Sequence, residues 1–212
     1  HLVGLSHESI DRIWNSARAL YRTGLFPALS LCVRREGQVV LDRAIGHTTG
    51  NGPTDPAGAP LELATPDTPF CIFSASKAIT AMMIHLLDER GLLHLDDPVC
   101  EYIPEFAQRG KEWVTIRHVL SHRAGIPSFQ KGAINNDLFN HPEKVVQILC
   151  ESPPASRPGR RLAYHATTGG FILGEIIERL TGSSVRQLMH DSIVEPLGFR
   201  YMNYGVDEAD IP

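Results

Sequence analysis

A serine and a lysine stand three positions apart in the segment 73–77, which reads FSASK. A serine hydroxyl is a poor nucleophile near neutral pH and needs a neighbour that takes its proton. Residues i and i+3 of a helix share a face, so Lys77 can reach the Ser74 oxygen. A lysine that is shielded from water has a lowered pKa and can act as a base. The pair therefore predicts a catalytic nucleophile, Ser74, with its proton acceptor, Lys77.

The spacing alone is weak evidence. About one serine-x-x-lysine is expected by chance in a chain of this length, and the sequence contains a second one, Ser128 and Lys131. The second pair follows Gly-Ile-Pro and precedes Gly132, with no apolar stripe after it, so we interpret it as exposed loop. For Ser74 taken alone, the simpler alternative is a helix N-cap beside a solvated lysine.

The residues after Lys77 decide where the pair lies. Apolar side chains recur at helical spacing, and Gly91 is a plausible end of the helix. These side chains are Ile79, Met82, Met83, Leu86 and Leu87. Ser74 or Ser76 is expected to cap the start. Ser74 is thus predicted at the N-terminus of this helix, where backbone N–H groups favour a developing oxyanion.

The rest of the chain predicts a mixture of one hairpin and several helices. Periodicity and turn residues predict a helix over 7–21, a β-hairpin of 28–33 with 38–44, and a long loop over 46–69. Beyond Gly91 we expect short helices broken by loops, one of them capped by Asp97 with Pro98 in its first turn. Further helices are predicted over 115–121 and 168–180.

The bulk composition is that of an ordinary globular protein. The 212 residues carry a net charge of -4, and 42% are apolar. The nearly balanced charge gives no footprint for nucleic acid, and no apolar run reaches the roughly 18 residues of a membrane span. No secretory signal is visible, which favours a cytoplasmic location, although the chain opens at His1. The four cysteines are widely spaced and are expected to be reduced and mostly buried.

The sequence gives no sign of a cofactor or a metal. No glycine-rich phosphate loop of the GxxxxGK type occurs. His118 and His122 have the i, i+4 spacing of some metal pairs, but no glutamate of the zinc-protease type lies beside His118. Loop and capping roles are expected for both. We therefore predict no cofactor and no metal.

Several segments, in order, resemble the serine β-lactamase-like superfamily, and most closely its branch of class C β-lactamases and family VIII carboxylesterases. FSASK resembles the nucleophile motif, and VLSHRAGIP at 119–127 resembles the leucine-threonine-histidine-x-x-glycine-leucine loop. The other matching segments are GLLHLDDPV at 91–99, Pro158-Gly159 followed by Tyr164 and the helix with GEIIE, and PLGF at 196–199.

The resemblance implies catalytic roles for three residues. Ser74 would be the acylated nucleophile, and Lys77 and Tyr164 would share the proton transfers, because a tyrosine beside an ammonium has its phenolate favoured. Because His165 and Ala166 directly follow Tyr164, we expect both to contact the substrate, with an exposed loop histidine as the alternative for His165. The family's tyrosine-x-asparagine motif ends here in Ala166, which lacks the amide that holds a β-lactam side chain, and this favours an esterase or acyltransferase. The loose match at Tyr201 lacks the upstream Pro-Gly and is interpreted as a decoy.

The resemblance also implies an α/β (α+β) fold, in which helices flank an antiparallel sheet and an all-helical domain is inserted. We expect the sheet domain with the nucleophile over 1–80, the helical domain over 81–199, and the return toward the sheet over 200–212. The family's third motif, lysine-threonine-glycine, has no credible counterpart here. We therefore expect the C-terminal strands to be missing from this chain and a longer or second chain to complete the site.

The predicted function is a serine hydrolase that forms an acyl-enzyme on Ser74, with small carboxylic esters as substrates. A β-lactamase, a D-amino-acid peptidase and an acyltransferase of the same fold remain alternatives. A second class of function is a non-catalytic, penicillin-binding-like binding protein. A third is a helical interaction domain with coincidental motifs. The expected partner is a small-molecule ester or amide.

Overall fold

A computed structural model describes residues 3–129 and 136–205 of the chain. The chain divides into two compact units, His1–Cys71 and Ile72–Pro212. The boundary predicted from the sequence, at residue 80, groups Ser74 with the N-terminal hairpin. In the structure Ser74 belongs to the second unit.

The first unit packs one helix against a small antiparallel sheet. Helix α1, His7–Tyr21, begins at Ser6, whose hydroxyl accepts a hydrogen bond from the Ser9 N–H. The sheet has the order β1-β2-β3, with β1 at Ala28–Arg35, β2 at Gln38–Thr49 and β3 at Glu62–Leu63. Its core is formed by Ile10, Val40 and Leu41. The predicted helix and hairpin are confirmed.

The turn of the hairpin shows why it forms where the sequence predicts it. Glu36 and Gly37 connect the two strands, and both have positive φ, at 50° and 77°. Two successive residues with positive φ match the twist of the flanking strands, as in a type I′ turn. The glycine adopts this conformation without steric cost.

The predicted loop over 46–69 is only partly correct. Strand β2 continues to Thr49, and β3 pairs with its end, His47 opposite Leu63 and Thr49 opposite Glu62. The composition of this stretch is that of a loop, so the sequence carried no strand signal. Backbone hydrogen bonding between two distant segments explains the extra pairing.

The second unit is a set of helices around one core. Helix α5, Thr168–Thr181, packs against α2, α3 and α4 and ends at Gly182 in the left-handed conformation. Besides α5, the helices are α2 at Ser76–Glu89, α3 at Ile116–Leu120, α4 at Pro142–Glu151, α6 at Val185–Met189 and α7 at Glu195–Leu197. No helix among the described residues is long and apolar enough to cross a membrane.

Two of the predicted helix starts are wrong. Neither Ser74 nor Ser76 caps α2, because the chain enters it from a 3₁₀ turn, Phe73–Ala75, and Ala75 is already helical. Asp97 does not cap a helix either. Its carboxylate accepts hydrogen bonds from the His94 N–H and the Tyr102 hydroxyl, and the predicted helix is a single 3₁₀ turn, Val99–Glu101. At Asp97 these local hydrogen bonds compete with the helix cap that the sequence predicts.

The start of α3 has a reciprocal cap. The Thr115 hydroxyl accepts the His118 N–H, and His118 Nδ1 accepts the Thr115 N–H, each at 3.2 Å. This is a capping box with histidine in the place of the usual glutamate. The capping role predicted for His118 is confirmed.

A row of backbone hydrogen bonds joins the loop after α3 to the segment before α5. The Ala155 N–H donates to the Gly125 carbonyl at 2.7 Å, and the Gly159 N–H donates to that of Arg123 at 2.9 Å. The Ala163 N–H donates to the His122 carbonyl at 3.0 Å. These bonds fix the course of the chain that carries Tyr164.

Gly125 is essential to this arrangement. Its φ is +80°, and a Cβ at this position would lie 2.4 Å from the Ser156 carbonyl oxygen. We expect Gly125→Ala to lower the free energy of unfolding by about 2–4 kcal/mol, because it combines backbone strain with a clash against main chain. Urea unfolding measures the loss.

Gly110→Ala is the matched control for that change. Gly110 has almost the same φ, +83°, but no atom lies within 4 Å of its would-be Cβ. Gly110→Ala therefore introduces the backbone strain alone, and we expect it to lower the free energy of unfolding by about 1 kcal/mol. Equal losses in the two variants would show that the contact with Ser156 is not what requires glycine at 125.

Candidate active site

The structure brings Ser74 and Lys77 together. The Lys77 Nζ donates a hydrogen bond to the Ser74 Oγ at 3.2 Å. Ser74 lies in the 3₁₀ turn that leads into α2, and Lys77 lies in the first turn of that helix. Phe73, immediately before Ser74, has a φ of +44°, which is costly for a bulky residue. The backbone strain therefore sits directly beside the proposed nucleophile.

Tyr164 completes a group of three side chains. The Lys77 Nζ lies 5.1 Å from the centroid of the Tyr164 ring, within the range of a cation–π contact. Hydrogen bonding with Ser74, and then with the Lys77 ammonium, lowers the pKa of Tyr164 below its usual value. The phenol is about half exposed, so substrate and water can reach it. This arrangement can pass a proton between the serine, the lysine and the phenol.

His122 lies against Tyr164, a position that the sequence pattern does not predict. Its ring meets the Tyr164 ring edge-on, with centroids 4.9 Å apart. Its Nδ1 accepts the backbone N–H of His165 at 3.2 Å, so the ring hydrogen is carried by Nε2. Burial, and to a lesser extent the Lys77 charge, lowers the pKa of His122, which keeps the ring neutral. The sequence signal for this position is the histidine of VLSHRAGIP, for which the sequence predicts only a loop or capping role.

His165 lies beside the site but does not have the role expected of it. Its side chain is only 1% exposed. Its Nε2 accepts the Ile126 N–H at 3.1 Å, and its Nδ1–H donates to the Ala163 carbonyl at 2.6 Å. Because both ring nitrogens are bonded to main chain, no polar ring atom is left for a substrate. The expected substrate contact is corrected to a positioning role, in which the ring joins the backbone just before Tyr164, at Ala163, to the backbone at Ile126.

Ala166 is exposed and lines a cavity of about 420 Å³, to which Lys77 also contributes. Its methyl group offers the cavity no hydrogen bond. Tyr201, interpreted as a decoy, stacks with the Arg200 guanidinium at 4.9 Å and lines a different cavity of about 990 Å³. Ser128 of the second serine-x-x-lysine is exposed, and Lys131 lies outside the described residues.

The described residues offer little for a metal ion. His190, Asp191 and Glu195 place potential ligand atoms within 4.8 Å of one another, but all three side chains are exposed. His190 and Asp191 already pair with each other at 3.1 Å, and we assign no metal there. The four cysteines are free thiols, and only Cys150 is buried, so the expectation of mostly buried cysteines is wrong.

Comparison with known proteins indicates the same family as the motifs that contain the site residues. The sequence profile of the Beta-lactamase family matches residues 17–212. The Esterase/beta-lactamase LipL of Mycobacterium tuberculosis is 35% identical over 188 residues, which are 86% of this chain and 40% of LipL. The Esterase EstB of Burkholderia gladioli is 30% identical, over 86% of this chain and 48% of EstB.

Solved structures give the same result. A penicillin-binding protein homologue from Caulobacter crescentus superposes with a TM-score of 0.73 at 30% identity, over 87% of this chain and 48% of that one. The chain thus spans roughly two-fifths to one-half of the length of the relatives it matches. Its helices and antiparallel strands have the β-lactamase/transpeptidase fold, and the chain belongs to the Beta-lactamase family.

Proposed function

We propose that this protein is a serine hydrolase that forms an acyl-enzyme on Ser74 and acts on small carboxylic esters. One observation carries the proposal: the Ser74 Oγ lies 3.2 Å from the Lys77 Nζ, and the same ammonium lies against a tyrosine whose pKa is lowered. A weak nucleophile is thereby supplied with two neighbours that can hold its proton.

The reaction has two halves. In the first, the Ser74 hydroxyl gives its proton to the Tyr164–Lys77 pair while its oxygen attacks the ester carbonyl carbon. The tetrahedral intermediate collapses, the carbon–oxygen bond to the alcohol breaks, and the pair returns the proton to the leaving alcohol. In the second half, water gives a proton to the pair while its oxygen attacks the acyl carbon. The bond from that carbon to the Ser74 Oγ then breaks, the pair returns the proton to Ser74, and the carboxylic acid is released. The two groups titrate as a coupled pair, so the proton is assigned to the pair.

Ala166 favours esters among the possible substrates. A methyl group in the substrate cavity provides no donor or acceptor for an amide side chain of a β-lactam or a peptide. An amide group that is buried there without a partner costs binding free energy. Relatives are named as an esterase/beta-lactamase and as a putative D-alanyl-D-alanine carboxypeptidase. β-Lactamase or D-amino-acid peptidase activity is therefore the second candidate, tested with a chromogenic β-lactam and a D-alanyl peptide.

Removal of the nucleophile tests the proposal. We expect Ser74→Ala in the full chain to reduce turnover of p-nitrophenyl acetate by about a thousandfold or more, because the acyl-enzyme can no longer form. Intact mass after treatment with a fluorophosphonate should show one adduct on Ser74 in the natural protein and none in the variant. Circular dichroism checks that the variant is folded.

Ser128→Ala is the matched control, because Ser128 belongs to the other serine-x-x-lysine and is exposed. It should keep both the turnover and the adduct. Undiminished turnover in folded Ser74→Ala would disprove the role of Ser74. A natural protein with neither turnover nor adduct would favour the non-catalytic binding protein.

The pKa of Tyr164 gives a prediction about pH. The phenolate is the proton-accepting form, so kcat/KM should rise with pH through a pKa below the ordinary value of about 10 for tyrosine. Lys77→Met removes the neighbouring positive charge and should move this pKa upward, toward 10. Ultraviolet difference titration of the phenolate measures it directly, with Tyr164→Phe identifying the signal.

Lys144→Met is the control for loss of a lysine charge, since Lys144 is exposed on α4. It should leave the Tyr164 titration unchanged. If Lys77→Met also leaves it unchanged, the lysine does not stabilise the phenolate, and the proposed proton pair is wrong.

A further inference from the structure

The cavity that contains Ala166 has features that the chemistry at Ser74 does not require. It has a volume of about 420 Å³ and lies between α2, α5 and the segments of Phe139 and Tyr204. This volume falls within the range of about 300–1,000 Å³ of small-ligand sites. Lys77 is one of its lining residues, so the cavity is continuous with the proposed catalytic group.

We propose that this cavity, here called the aromatic groove, binds an apolar aryl or branched alkyl group of the substrate, and that Gly170 sets the size of the group that fits. The inference rests on the proposed function, because the group it binds would belong to the ester that acylates Ser74. The same apolar chemistry can come from the acyl half or the alcohol half of an ester.

One wall of the aromatic groove is a pair of phenylalanines. Phe139 and Phe171 are stacked, with ring centroids 5.9 Å apart and planes inclined by 19°. Phe139 is 39% exposed, so part of its apolar surface is open to a ligand. Burial of such surface against an apolar group is favourable in proportion to the area removed from water, and a third ring can add stacking contacts.

The opposite side is closed by a tyrosine whose polar end is already bonded. The Tyr204 hydroxyl donates to the Ser76 carbonyl at 2.8 Å and lies 2.6 Å from the Thr80 hydroxyl. Burial raises the pKa of Tyr204, so the phenol stays neutral. With its oxygen occupied, Tyr204 offers the groove mainly its ring. Among the described residues that line the groove, Lys77 is the single charged one.

Gly170 leaves space where a side chain would fill the groove. It lies in the first turn of α5 and lines the groove, and within the described part of the chain no neighbouring atom lies within 4 Å of a Cβ built on it. Its φ is outside the left-handed region, so the backbone does not require glycine here. Glycine inside a helix is destabilising relative to alanine. The open space is therefore the feature that Gly170 contributes.

The test compares substrate preference in the natural full chain and in Gly170→Val. One series varies the acyl half, p-nitrophenyl phenylacetate against p-nitrophenyl acetate. The other series varies the alcohol half, benzyl acetate against ethyl acetate. In one series, the preference for the aryl ester in kcat/KM should fall by roughly tenfold or more, since loss of a hydrophobic subsite contact has effects of this size. That series identifies which half occupies the groove.

Glu178→Val is the control, because it places the same side chain at an exposed position of the same helix. It should leave both preferences unchanged. Unchanged preferences in Gly170→Val, in both series, would overturn the proposal.

A binding measurement separates this proposal from the hydrolase. Fluorine NMR line broadening of 4-fluorobenzyl alcohol reports occupation of the groove without turnover, and should be weakened in Gly170→Val but not in Glu178→Val. If the protein binds the probe in this way but forms no fluorophosphonate adduct on Ser74, the role of the groove is supported and the hydrolase proposal is contradicted. An adduct on Ser74, with equal probe binding in the natural protein, Gly170→Val and Glu178→Val, would support the hydrolase and contradict the role of the groove.

Discussion

The contact of one ammonium group with two oxygen-bearing side chains is the constraint on which the site depends. Lys77 is hydrogen-bonded to Ser74 and lies against the ring of Tyr164. Ser74 and Lys77 need only one helical turn to meet, but Tyr164 comes from a loop almost ninety residues further along the chain. The position of that loop therefore decides whether a serine and a lysine become a catalytic pair.

Two neutral histidines hold the loop in place. His165 bonds the backbone at Ile126 and Ala163, and His122 accepts the His165 N–H while its ring supports that of Tyr164. Each ring needs one acceptor nitrogen for these bonds, which only the neutral form provides. Burial lowers the pKa of both rings, and so stabilises the form that the bonds require. The histidines thus connect the backbone around Tyr164 and pack against its ring.

The sequence predicted the parts of the structure that local patterns determine. The first helix, the hairpin with Gly37 and the meeting of Ser74 with Lys77 follow from periodicity, turn chemistry and spacing within a few residues. The short strand Glu62–Leu63 and the burial of His165 do not, because each depends on partners far along the chain. Tyr164 was found through family resemblance, since no local pattern marks a single tyrosine in a loop.

Lys111 shows why burial and residue type alone do not identify a catalytic lysine. It is fully buried, and burial lowers its pKa, which are the properties expected of a lysine that acts as a base. Its Nζ, however, donates to the carbonyls of Cys150 and Ser152 at the end of α4, where a positive charge is favoured by the helix dipole. Lys77 has the less buried position, but it is the lysine with a hydroxyl and a phenol beside it. The neighbours of the ammonium, rather than its depth, separate a structural lysine from one that is placed to move protons.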